Sequence, residues 1–221
     1  MNIRGLSVFR SLDMFSAVSG IFRRSTDSGI PALAVLWAFL STTVSLACSY
    51  SFIHPFWLLH PDYIHSFGVY NYCYNHPKLY RQICDTFGGY FSFSNLPSQA
   101  WQAACVLYGS GCSLMFVSTL CACLCLCLSR PCDQRLAVIG GGLQITAALV
   151  LILGVLVYPL GTDSDLLSYY CGTSGRYSLG HCDIGWSYMM AIMGSSLAVF
   201  CPVLAYFIDT GKSHKNTDVL L

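Results

Sequence analysis

Polar and apolar positions along this chain are segregated into blocks rather than mixed. No charged residue occurs from Ser28 to Pro61, and Pro31 to Ile53 within that gap is an apolar run. A second charge-free gap lies between Asp85 and Arg130, with Ala100 to Leu128 as its apolar part; Leu136 to Thr162 and Ile184 to Ile208 are the third and fourth runs. Each exceeds the roughly 20 residues that cross about 30 Å of hydrocarbon at 1.5 Å per residue. Core helices of a soluble protein are shorter and flanked by amphipathic ones. The pattern therefore predicts a membrane α-helical fold with four transmembrane spans, at about 31–53, 100–128, 136–158 and 184–208. A 30–208 tetraspan domain then holds outer loops 54–99 and 159–183, between an N-terminal segment 1–29 and a tail 209–221.

Composition agrees. The 221 residues are 55% hydrophobic and 10% charged, against about 25% charged in soluble domains, which excludes a water-soluble globule. A net charge of +1 offers no clustered basic surface for nucleic acid. Orientation follows from the basic residues. Arg4, Arg10, Arg23 and Arg24 precede the first span, Arg130 and Arg135 separate the second and third, and Lys212 and Lys215 follow the fourth. Lys78, Arg81 and Arg176 lie on the other side. That bias places both termini in the cytosol, and a multi-pass plasma-membrane protein is the expected setting. The first 29 residues lack the apolar core and cleavage site of a secretory signal. Their apolar and basic residues interleave, which fits either a segment lying on the inner membrane surface or a loosely ordered tail.

The cysteines divide by position. Cys73 and Cys84 lie in the first outer loop and Cys171 and Cys182 in the second, each pair with ten intervening residues. Facing an oxidising compartment, such pairs read as disulfides; pairing within loops is the simplest of three connectivities. Cys121, Cys123, Cys125, Cys127 and Cys132 crowd the cytosolic end of the second span. Alternate cysteines on a helix point to several faces, which suits a zinc tetrahedron poorly. The cluster fits either reversible S-palmitoylation, with Cys127 and Cys132 the better candidates, or small apolar residues filling helix contacts.

Aromatic, β-prone runs occur at Phe67–Tyr74, Tyr80–Cys84 and Gly89–Phe93, with Asn75-His76-Pro77 and Gly88-Gly89 as turn signals. Arg176–Cys182 is a candidate further strand, and Asn95-Leu96-Pro97-Ser98 a helix start with proline in the first turn. The expected architecture is a small extracellular antiparallel β-sheet on the four-helix bundle. Neither loop carries a hydrolase, kinase, dinucleotide or metal signature.

Trp57, Gly68-Val69-Tyr70, Cys73 and Cys84 resemble the first-loop W…GLW…C…C pattern of claudins, and Leu96–Ala104 resembles the claudin approach to the second span. Tyr70 replaces the family tryptophan, and claudins lack a pair such as Cys171 and Cys182. Those departures match a narrower group. His54-Pro55-Phe56-Trp57, Phe91–Ser98 including Pro97, Val157-Tyr158-Pro159-Leu160-Gly161, Cys171-Gly172, Tyr177–Cys182 and Trp186 resemble the lipoma-fusion-partner-like (LHFP-like) tetraspan family, from about residue 33 to 208. The resemblance implies a left-handed four-helix bundle under a claudin-like sheet. It also implies a non-enzymatic auxiliary or scaffolding subunit of a larger channel or receptor.

The four predicted spans contain no Asp, Glu, Lys, Arg or His, and Gln102 and Gln144 are their only carboxamides. Transporters place ionisable groups inside the membrane, so this chain alone is a poor transporter. A thiol oxidoreductase needs a C-x-x-C pair, which is absent, and the outer histidines match no zinc spacing; no cofactor or metal is expected. Gly140-Gly141-Gly142 lets backbones approach closely, either within the bundle or against a partner's transmembrane helix. The outer aromatics (Phe67, Tyr70, Tyr72, Tyr74, Tyr80, Tyr90, Phe91) exceed what a small sheet is expected to bury, which points a subset towards a partner. The chain's Val219 and Leu221 suit capture by a PDZ groove. The function expected is therefore binding of another integral membrane protein within membrane lipid, aiding its assembly, trafficking or gating. The alternative is claudin-like self-association in cell adhesion or barrier formation.

Overall fold

Hydrocarbon forces a chain to satisfy its backbone hydrogen bonds internally, and the four apolar runs do so as helices. The computed structural model describes residues 32–208 except 63, 77–80, 90–91, 128–129 and 173–176, and leaves aside the side chains of 76, 81, 127 and 130–134. Segments long and apolar enough to span are Ala32–Ile53, Gln99–Leu126, Arg135–Thr162 and Trp186–Ile208. In element terms these are α1 (Ala32–Ile53), α2 (Gln99–Cys127), α3 (Arg130–Val157) and the helix from Trp186, whose regular part, α5, is Trp186–Ala198. Hydroxyls inside the spans bond back to their own helix: Thr42 to the Ala38 carbonyl at 2.7 Å, Thr43 to Phe39 at 2.9 Å and Ser113 to Gly109 at 3.0 Å. No polar hydrogen of these three groups is left to the lipid.

Strands β1 (Leu58–Leu59), β2 (His65–Phe67), β3 (Asn71–His76) and β4 (Arg81–Thr86) occupy the first connection, and β5 (Asp183–Ile184) the second. They form one antiparallel sheet in the order β4-β3-β2-β1-β5. A short helix, α4 (Asp165–Cys171), lies between α3 and β5. Ser164 caps it, its hydroxyl accepting from the Leu167 N–H at 3.4 Å, with Asp165 favourably placed in the first turn.

Four local expectations are corrected. The run Phe67–Tyr74 is not one strand, because Gly68-Val69-Tyr70 turns between β2 and β3. The Gly68 N–H bonds the Asn71 carbonyl at 2.8 Å, and a Cβ there would strike the Asn71 side chain and approach the Pro55 Cα to 2.8 Å. Among the described residues of Gly89–Phe93 there is no strand either: Gly88 and Gly89 turn at φ of 80° and 82°, and Phe93–Asn95 is a 3₁₀ turn. Among the described residues the fifth strand is Asp183–Ile184, beyond the expected run that ends at Cys182, because β1 pairs Leu58 with Ile184 and Leu59 with Asp183. Pro97 lies just outside α2, where Ser98 accepts the Trp101 N–H at 3.2 Å as the cap.

Packing is most extensive between α2 and α3. Gly154 makes it possible, since a Cβ there would come within 2.8 Å of the Tyr108 backbone nitrogen, and Gly111 abuts Leu151 similarly. Outward positions such as Phe39, Phe116, Leu149 and Phe200 are about half exposed. They suit hydrocarbon rather than water.

Candidate partner-contact surfaces

The interior is filled from both ends. At the sheet end Trp57 is fully buried and meets the rings of Tyr158 at 4.7 Å, Tyr108 at 5.2 Å and Tyr188 at 5.3 Å. Trp101 stacks on Tyr158 at 5.1 Å and 10°. These rings plug the space between the helices where the sheet sits on them. The last carbonyls of a helix lack intrahelical partners; the first loop supplies them for α1. Trp57 Nε1 donates to the Ser51 carbonyl at 2.8 Å and Asn71 Nδ2 to the Ile53 carbonyl at 2.9 Å.

Deeper in the bundle, Gln144 of α3 is fully buried. Its Oε1 accepts from Trp37 Nε1 at 2.9 Å and its Nε2 donates to the Ser41 hydroxyl at 2.8 Å. The Thr119 hydroxyl of α2 is shared between the Met115 carbonyl of its own helix at 2.8 Å and the Ser41 carbonyl at 3.1 Å, and Ser118 donates to the Gly140 carbonyl at 3.0 Å. This network ties α1, α2 and α3 together with its polar atoms turned inward. The sequence singles out Gln144 but not its partners, which lie 103 and 107 positions away.

The other residues that the sequence pointed to fall in several places. Cys73 and Cys84 are bonded across β3 and β4, and Cys171 and Cys182 are bonded between the end of α4 and the approach to β5. Val69 is fully buried, and Tyr70 is half-buried against Phe52 with ring centroids 5.2 Å apart. Burial, then the neighbouring Cys105, pushes the Tyr70 phenol up. Pro159 and Gly161 lie in a 3₁₀ segment, Tyr158–Thr162. Gly161 leaves room for the Trp101 ring, which a Cβ would strike. Trp186 starts α5 exposed, beside His54 at 5.4 Å, Phe56 at 5.5 Å and Tyr50 at 5.7 Å. That cluster has the composition of a headgroup belt.

Gly140 and Gly141 are used inside the bundle: a Cβ on Gly140 would meet Trp37 at 3.1 Å, and one on Gly141 would meet Ala205 at 3.0 Å. Gly142 has nothing within 4 Å and is the one of the three with open space. Of the aromatics expected outside, Phe67 is buried, 2% exposed; Tyr72 and Tyr74 are half-buried on the sheet. Tyr80, Tyr90 and Phe91 fall outside the described residues, as do Val219, Leu221 and segment 1–29; so do the side chains of Cys127 and Cys132.

Comparison with known proteins adds an independent line. A family model described as lipoma HMGIC fusion partner-like protein matches residues 33–209. The LHFPL tetraspan subfamily member 3 protein of Danio rerio is 27% identical over 194 residues, 86% of this chain and 88% of the relative. The human member 3 protein is 29% identical over 181 residues, 80% of this chain and 75% of the relative. The member 4 protein of Mus musculus is 30% identical over 196 residues, 86% of this chain and 75% of the relative.

Proposed function

We propose, since this chain belongs to the lipoma HMGIC fusion partner-like family, that it is a non-enzymatic auxiliary subunit of a larger channel or receptor in the plasma membrane. The observation that carries this reading is the aromatic plug of Trp57, Trp101, Tyr108 and Tyr158 above a polar network that closes on itself at Gln144. A bundle filled this way works through its outer faces. Those are the lipid-facing helix surfaces, with the open position at Gly142, and the disulfide-braced sheet. Basic residues gathered opposite the sheet end support cytosolic termini, and two disulfides at the sheet end support an oxidising exterior there.

Affinity purification of the tagged chain from native membranes in mild detergent, followed by mass spectrometry, tests the reading. One larger membrane protein recovered in near-equal amount is the expected result. Recovery of the chain only with itself would overturn it and favour claudin-like self-association.

A further inference from the structure

A cavity of about 480 Å³ opens on the sheet, walled by His65, Phe67, Tyr72, Tyr74, Phe87 and Tyr170. Its construction follows from register. Phe67 lies opposite Tyr72 and His65 opposite Tyr74 across β2 and β3, so four rings share one sheet face. Their planes run nearly parallel along each strand, 17° between His65 and Phe67 and 19° between Tyr72 and Tyr74. Tyr170 of α4 closes the second wall, tilted 52° to His65 at 4.8 Å and 53° to Phe67 at 5.4 Å. The result is a cleft lined by ring faces and phenol oxygens.

Among the described side chains, an acidic one stands beside this cleft. Asp85 of β4 stands opposite Tyr72, on the same side of the sheet, and is exposed. One of its oxygens accepts the Thr86 N–H at 2.8 Å. Burial first and the Asp85 carboxylate second hold the Tyr72 phenol above its ordinary value. Burial first and His60 second hold His65 below its ordinary value, which disfavours a positive charge on the imidazole. Among the described residues lining the cavity there is no Lys or Arg. Aromatic faces attract cations, and guanidinium both stacks on rings and pairs with carboxylate.

We propose that this cleft is a cation-binding cage that receives an arginine side chain from an exposed loop of the protein partner; this rests on the auxiliary-subunit reading. Two observations favour a protein side chain over a choline lipid. All the lining residues lie outside the four spanning segments, and the second wall comes from α4, in the connection beyond the third span. A headgroup tethered to the bilayer would have to leave its leaflet to enter.

The test uses the full chain in nanodiscs, with its tyrosines replaced by 3-fluorotyrosine, and fluorine NMR. The probes are N-acetyl-arginine methylamide and its uncharged isostere N-acetyl-citrulline methylamide. The arginine probe should shift the Tyr72 and Tyr170 resonances saturably and the citrulline probe should not. Tyr170→Leu should raise the Kd about three- to tenfold, whereas Tyr170→Phe, which keeps the ring face, should stay within about twofold. Asp85→Asn, an exposed change that leaves the fold alone, should weaken binding and flatten its salt dependence. No saturable shift, or equal shifts with citrulline, would overturn the cage. A stronger shift with soluble phosphocholine than with the arginine probe would assign the site to a choline headgroup instead. A stronger shift with N-acetylglucosamine would assign it to glycans. If these titrations fail while a partner still co-purifies, only the cage is lost and the auxiliary reading stands.

Discussion

Replacing Gln144 with leucine tests whether the buried network holds the bundle together. Gln144→Leu keeps the volume close to the original and deletes two hydrogen bonds, 2.9 Å from Trp37 and 2.8 Å to Ser41. The two former partners differ in what they lose. Ser41 loses only a donor to its hydroxyl oxygen, and its own hydroxyl hydrogen keeps the rotamer that bonds the carbonyl four residues earlier, as Thr42 and Thr43 do. The indole N–H of Trp37 is fully buried and has no such rotamer. An orphaned buried donor costs about 1–3 kcal/mol, while interhelical hydrogen bonds in membranes average about 0.6 kcal/mol with a maximum near 1.7. The expected loss is therefore about 1–2 kcal/mol, most of it at Trp37. A double-mutant cycle separates that loss from packing. Trp37→Phe removes the donor, so adding Gln144→Leu to it should cost less than Gln144→Leu alone, leaving a coupling of about 0.5–1.5 kcal/mol. Unfolding measured reversibly in bicelles gives all four corners. A coupling within error of zero would refute the argument that this contact stabilises the bundle.

Three further outcomes follow from the same geometry. Gly141→Leu should destabilise by about 1–3 kcal/mol, because its side chain enters the space held by Ala205; Gly142→Leu should leave unfolding unchanged, and loss of the co-purifying partner in that variant alone would mark this face as the docking surface. Under a mild phosphine reductant, Cys84, which is exposed, should be alkylated before Cys171 and Cys182, which are 0% and 4% exposed; mass spectrometry reads the order, and simultaneous labelling would contradict it. The sheet region should lose stability on the acid side. His65 is held below its ordinary value by burial and then by His60, so the folded chain binds its proton less readily than the unfolded one. That contribution is complete above the ordinary imidazole range and declines as pH falls through it, levelling at the lowered folded value. Among the described residues the groups facing His65 are His60 with its neighbour Asp62, and Tyr74 and Tyr170. Thermal unfolding between about pH 7 and pH 5 should show the slope, and His65→Gln should flatten it.

The parts that could be read from sequence are those the membrane leaves no choice about. A span must be apolar for its whole length, so four runs announced four helices. The pairing of Cys73 with Cys84 and of Cys171 with Cys182 followed from short spacings within each loop. The sheet was harder because its strands are small. β1 and β5 have two residues each and β2 has three, too short for an alternating pattern to register. The turn at Gly68 is embedded in an aromatic run whose propensity reads as extended throughout. α4 has seven residues and its signal, Ser164 before Asp165, is a cap without a recognisable apolar period behind it.

Aromatic composition misled for a different reason. A tyrosine or phenylalanine in an outer loop carries no mark of which side of a two-layer structure it will face. Phe67, expected outside, is buried, and Tyr170 is half-buried at 5.4 Å from it. Their relation is created by α4 folding back over the sheet, which the Cys171–Cys182 bond and the His181 N–H to Cys171 carbonyl bond at 2.7 Å hold in place. The second disulfide, the departure from the claudin pattern, is thus also what forms the second wall of the aromatic cleft. Breaking it with paired Cys171→Ser and Cys182→Ser changes should cost about 2–4 kcal/mol and release Tyr170 from the cleft. The arginine probe would then bind more weakly even where the bundle remains folded, and unchanged binding would show that α4 is positioned without its disulfide.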